Sequence, residues 1–173
     1  MPRARPGIRF GSMRQDCPVP SRPTIAEGLW FAVPLRDSGF AVGVVARANP
    51  NGVLLGYFFG PRRVEPPTLD QVSGLTTDQA LWVSKFGYLG LRNGLWPVLG
   101  RLDNWRREDW PMPEFVRYEE LTGRSFRVIY DDLDPNKIVR EVQVAPGAAE
   151  QGPHDGSAGA GFVEIRLTNL LSA

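Results

Sequence analysis

Three apolar runs follow one another between Trp30 and Phe59, separated only by turn-forming residues, and they constrain the fold more than any other feature. The first, Trp30, Phe31, Ala32, Val33 and Leu35, ends in the turn cluster Arg36-Asp37-Ser38-Gly39. The second, Phe40 to Ala48, is rich in Val and broken only by Gly43. The third, Val53 to Phe59, follows Asn49-Pro50-Asn51-Gly52. Asn-Gly between two apolar runs marks a hairpin, because both residues tolerate positive φ. Segments this short, joined this tightly, pair with their neighbours in sequence, so an antiparallel meander is predicted.

Further along, Thr68-Leu69-Asp70-Gln71 has capping-box spacing and predicts a short helix after Pro66-Pro67. Leu81–Phe86 reads as a strand, since aromatic and β-branched residues dominate and Gly87 and Gly90 weaken a helix. Leu95–Leu99 reads as a second short strand, held to an edge or a bulge by Pro97. Residues 103–114, with Trp105, Trp110, Pro111 and Pro113 among charges, read as an ordered surface loop. Ser125–Tyr130 and Ile138–Val144 read as a hairpin around residues 131–137. Residues 145–161 are Gly, Ala and polar, which predicts a flexible connection. Phe162–Asn169 alternates, with Val163, Ile165 and Leu167 on one side, which predicts a half-buried terminal strand. The expected class is α+β, mostly β: a twisted antiparallel sheet or partial barrel with one or two short helices.

The 173 residues fit one ordinary domain, and 42% apolar with 23% charged side chains is the composition of a globular protein. No apolar run approaches the roughly 18 residues needed to cross a bilayer. The opening MPRARPGIRF is basic but lacks the apolar stretch of a secretory signal. Cys17 is the sole cysteine, so no internal disulfide forms, in keeping with a cytoplasmic setting. The near-neutral total hides an asymmetry. Residues 1–23 carry Arg3, Arg5, Arg9, Arg14 and Arg22 against Asp16, which leaves 15 basic and 18 acidic side chains on the rest. A basic, Pro-rich, disordered tail over 1–23 and a single β-rich domain over 24–173 are expected. A weakly acidic body argues against nucleic acid, whose binders present a dense basic face.

The inventory of reactive groups is short. His154 is the only histidine and lies in the Gly/Ala-rich stretch, where no rigid triad or Cys–His dyad is expected. Zinc sites draw about four ligands from Cys, His and carboxylates, and only two soft ligands exist here. Asp132, Asp134 and Asn136 mimic the start of a calcium loop, but Lys137 and Gln143 stand where Gly and Glu are needed. No phosphate loop or dinucleotide fingerprint is present. Glu119-Glu120 and Glu108-Asp109 read as solvated charges, and Arg62-Arg63 and Arg106-Arg107 are too sparse for a phosphate-tracking groove. No cofactor, no metal and no catalytic residue is therefore expected. Trp105, Arg106, Arg107, Glu108, Asp109 and Trp110 stand apart. Trp and Arg together in a loop suit an interface hot spot, or else buried loop anchors.

Several segments together resemble the immunity protein 26 family of bacterial polymorphic toxin systems. They are Gly28-x-x-Phe31-Ala32-Val33-Pro34-Leu35, Gly39-Phe40-Ala41-Val42-Gly43-Val44-Val45 and Gly56-Tyr57-Phe58-Phe59. Gly94-Leu95-Trp96-Pro97-Val98-Leu99-Gly100 and Pro113-Glu114-Phe115 complete the set. The resemblance implies a non-catalytic, cytoplasmic protein that binds and neutralises the toxin domain of a neighbouring gene. On that reading residues 105–110 are the expected partner-binding loop. The alternatives are a β-barrel module for small ligands or nucleic acid, which requires a basic or aromatic groove, and a carboxylate-based enzyme, which requires an acidic pocket.

Overall fold

The computed structural model describes residues 24–147 and 151–172, so the basic tail expected over 1–23 lies outside the described residues. The three apolar runs form the antiparallel strands β1 (Leu29–Pro34), β2 (Phe40–Ala48) and β3 (Val53–Arg63). They pair in sequence order, with Phe31 opposite Gly43 and Gly43 opposite Phe58. β4 (Trp82–Gly87) continues the sheet beyond β3, and β5 (Val98–Arg101) closes the other edge against β1. Pro97 sits just ahead of that edge strand, where the register shifts between Trp30 and Phe31, as its missing N–H requires. A second antiparallel sheet contains β6 (Phe115–Glu119), β7 (Arg124–Asp131) and β8 (Asp134–Val144). The two-residue β9 (Ser157–Ala158) pairs with β4 in parallel and completes the order β5-β1-β2-β3-β4-β9.

Strand accounts for 43% and helix for 18% of the described residues, an α+β, mostly β fold with two open sheets and no closed barrel among them. The first helix, α1 (Leu69–Val72), has the expected capping box, with Thr68 N–H donating to Gln71 Oε1 at 3.0 Å. Two further helices, α2 (Leu89–Arg92) and α3 (Ala160–Leu171), make three among the described residues.

Side chains on β1–β3 are buried on both faces of the sheet. Phe31, Val33, Leu54 and Phe58 pack on one face with Phe86, Leu91, Trp96, Val163 and Leu167. Trp30, Val42, Val44, Leu55, Tyr57 and Phe59 pack on the other with Val72, Trp110, Phe115, Val128 and Tyr130. That double burial is why these strands read as continuous apolar runs rather than clean alternation. Gly43 is a packing requirement: a Cβ there lies 2.5 Å from the Phe31 ring, which stacks on Trp96 with centroids 5.6 Å apart.

Two expectations about the C-terminal region are overturned. Phe162–Asn169 is not a strand but the body of α3. Val163 and Leu167 are four residues apart, which places them on one helical face, and both are fully buried while Ile165 is 48% exposed. The pair satisfies helix and strand periods equally, and the face that needed covering selected the helix. Glu164 anchors it, accepting from Trp96 Nε1 at 3.0 Å and pairing with Arg36 at 3.1 Å. Nor do residues 151–161 run as a free connection. Val116 N–H donates to Pro153 O at 2.9 Å, Asp155 N–H donates to Val116 O at 2.8 Å, and Ser157 and Ala158 pair with Lys85 and Phe86. Glycine-rich composition limits side-chain burial but leaves backbone groups free to bond to two sheets.

The helical register has a direct consequence. Leu167→Ala is expected to cost about 2–5 kcal/mol, the range for a core leucine. Ile165→Ala is expected to stay within about 0.5 kcal/mol. Urea unfolding midpoints of the two variants check this, and equal losses would restore the strand reading.

Candidate functional site

The loop after β5 contains the six residues singled out by composition, and the structure divides them. Trp110 is a core residue, 6% exposed, meeting Trp30 and Tyr57 edge-on at 5.6 and 5.4 Å. Tyr57 fixes the loop beyond it by donating its hydroxyl to Pro111 O at 2.6 Å. Burial pushes the Tyr57 phenol up to about 12, opposed by the nearby Arg47 charge. Arg47 itself is buried. A register shift between Val45 and Arg47 sets two residues of β2 against Leu55, which turns Arg47 onto the same face as Ala46. Its guanidinium donates to Ala46 O and Trp110 O at 2.7 and 2.9 Å and to Asp132 Oδ1 at 2.8 Å.

Arg107 reaches the same carboxylate. Its Nη1 lies 3.0 Å from Asp132 Oδ2, its Nε lies 3.0 Å from Glu27 Oε2, and it also donates to Asp132 O. Asp132 occupies the tight β7–β8 turn, so two arginines tie the turn of one sheet to the loop of the other. Arg106, Glu108 and Asp109 face solvent. The Arg106–Asp109 pair, 2.8 Å apart, holds the Asp109 carboxyl below the usual carboxylate range. Trp105 is half-buried beneath the Arg101 guanidinium, 5.1 Å from the ring centroid, and borders a cleft of 210 Å³ with Thr76 and Thr77. Its indole N–H finds no acceptor among the described residues.

Sequence reasoning missed the second polar cluster. Lys85 lies in β4 opposite Leu55, which directs it to the face that meets the second sheet. It is 5% exposed, and its Nζ sits 3.3 Å from the Tyr130 ring centroid and 5.3 Å from that of Phe115. Asp155 supplies the counter-charge at 3.0 Å and accepts from Tyr130 Oη at 2.6 Å. Arg117 lies 3.8 Å from its other oxygen. Burial pulls the Lys85 ammonium below its usual range, with Asp155 opposing, while burial and then the Asp155 bond push the Tyr130 phenol up. These groups are spent on one another and join β4, the strap at 153–158 and the second sheet. The only signal in the sequence was one lysine inside Trp82-Val83-Ser84-Lys85-Phe86. Its acid partner lay in a segment that composition marked as loose.

Among the described residues no three His, Cys, Asp or Glu side chains gather as a metal site, and no helix is long and apolar enough to cross a membrane. A cavity of 640 Å³ opens where β4, the strap and α3 meet, with His154 on its wall.

The meander lies within the six-stranded sheet, covered by α3 on one face and by the three-stranded sheet on the other. The family model for immunity protein 26 matches residues 26–127, more than half of the chain. The chain belongs to the immunity protein 26 family. Neither a curated protein nor a solved structure matches it.

Two outcomes are expected. Asp155→Ala strands the Lys85 charge and is expected to cost about 3–5 kcal/mol, whereas adding Lys85→Met to it recovers a large part. Denaturant titration of the single and double variants checks the coupling. For Tyr57, the unfolded chain ionises near 10 while the folded chain keeps its proton to about 12. The folded state therefore binds more protons in that window, and stability falls as pH rises from 10 to 12. Tyr57→Phe is expected to make that slope shallower in unfolding measurements across the window.

Proposed function

We propose that the chain is a cytoplasmic immunity protein that binds the toxin domain encoded beside it and blocks that domain by occlusion rather than by reaction. Membership of the immunity protein 26 family carries this reading. The local structure supports it in one further respect. Arg106, Glu108 and Asp109 are exposed, while their flanks are anchored by Arg107 on Asp132 and Glu27 and by Trp110 in the core. A loop held in this way forfeits little conformational freedom on binding, which favours tight association. The mixed charges suit a complementary rim.

The test is growth rescue with recovery of the complex. The toxin domain from the neighbouring gene is expressed in a bacterial host with and without this chain. Rescue with one-to-one co-purification is expected. Failure to rescue from a demonstrably toxic neighbour overturns the cognate pairing. Within a rescued pair, replacing Arg106, Glu108 and Asp109 together by Ala is expected to weaken binding by about tenfold or more. An unchanged dissociation constant by calorimetry removes this loop from the interface.

A further inference from the structure

β4 is only half covered. Along β3 it is paired from Trp82 to Gly87, but on its other side β9 meets it at Lys85 and Phe86 alone. Tyr88 N–H donates to Gly52 O at 3.0 Å, which sets the parity of the β3–β4 ladder. Even-numbered residues of β4 exchange bonds with β3, and odd-numbered ones present N–H and C=O to the opposite side. Lys85 meets β9 there. Val83 faces the same way with no strand beside it among the described residues. An edge in this condition is a template for an incoming strand.

The 640 Å³ cavity lies against this open half. Trp82 and Phe162 wall it, with ring centroids 6.5 Å apart, and Phe162 is 59% exposed for a side chain at the start of a helix. Ser84 and Ala158 also line it. Its polar groups are lopsided. Asp155 is already held by Lys85 and Tyr130, whereas Arg166 makes no ion pair or hydrogen bond among the described residues, and nor does the His154 ring. The unspent charge at the mouth is thus a cation, on a body otherwise richer in acids than bases.

We propose that this notch receives an extended segment of the toxin partner, which adds to the sheet beside Trp82–Ser84. One apolar side chain of that segment enters between Trp82 and Phe162, and a neighbouring carboxylate meets Arg166. Backbone bonds to Val83 supply attachment, and the cavity with its cation supplies selectivity. This contact rests on the immunity reading and is separate from the loop at 105–110.

The test uses the full chain and the purified toxin domain from the neighbouring gene. In hydrogen exchange, the Val83 amide is expected to exchange much faster than those of Ser84 and Phe86 in the free chain and to become protected in the complex. Phe162→Ala and Arg166→Glu, both at exposed positions, are expected to raise the dissociation constant about tenfold or more with the melting temperature unchanged. Val83→Pro, which removes the outward donor together with the Val83 side chain's packing, is expected to raise the dissociation constant likewise and to lower the melting temperature. Wild-type affinity in all three variants with Val83 still exchanging in the complex overturns the inference and leaves the immunity reading standing. A wild-type chain that does not bind the toxin overturns both. A concentration-dependent dimer of the free chain that Val83→Pro abolishes overturns the toxin as occupant in favour of a second copy.

Discussion

Everything in this molecule follows from a meander that is apolar on both faces. β1, β2 and β3 cannot leave either side to water, so each side recruits its own cover. On one, Trp96 and α3 supply Val163, Leu167 and the stacked ring over Phe31. On the other, the second sheet and the loop carrying Trp110 fold down. The two covers are distant along the chain and are joined by the strap at 153–158, which bonds to β6 through Val116 and to β4 through Lys85 and Phe86. A salt bridge at its centre is a costly joint, because desolvating Lys85 and Asp155 opposes their attraction. Its geometry repays that cost in definition: an ammonium between two aromatic rings admits only one place for the strap's carboxylate.

Arg47, Lys85, Asp155 and Tyr130, the polar groups with the most unusual surroundings, all join one layer to another. The proposed partner contacts lie outside. One such region is the loop tip beyond Trp105, set on a two-arginine clamp at Asp132. The other is the half-covered edge of β4. Both are presented by rigid elements, the condition under which a modest area binds tightly.

The meander, the capping box at Thr68, the strand expected at 81–86 and found at 82–87, and the edge role of the Pro97 segment were legible because each is written locally, in turn residues and apolar runs. The family was legible for the same reason, since its motifs lie on those strands. The strand predicted at 162–169 failed at a specific ambiguity: Val163, Ile165 and Leu167 alternate, while Val163 and Leu167 also stand one helical turn apart. Only the face awaiting cover decides between them, and that face belongs to residues far earlier in the chain. The strap was illegible for a related reason. Asp155 looked like one acid in a loose glycine-rich stretch until folding set it against Lys85. Of the loop residues, the sequence placed six together; it could not separate Trp110 and Arg107, which hold the loop, from Arg106, Glu108 and Asp109, which it displays.

The central claim is that this chain silences its partner by occupying it. The most direct measurement is a titration of the purified toxin domain's activity with increasing amounts of this chain, followed by mass determination of the toxin. The account expects inhibition that is complete near one chain per toxin, with the toxin recovered at unaltered mass. Complete inhibition at a small fraction of that ratio, or a changed toxin mass, would contradict it and assign the chain a chemical rather than a steric role.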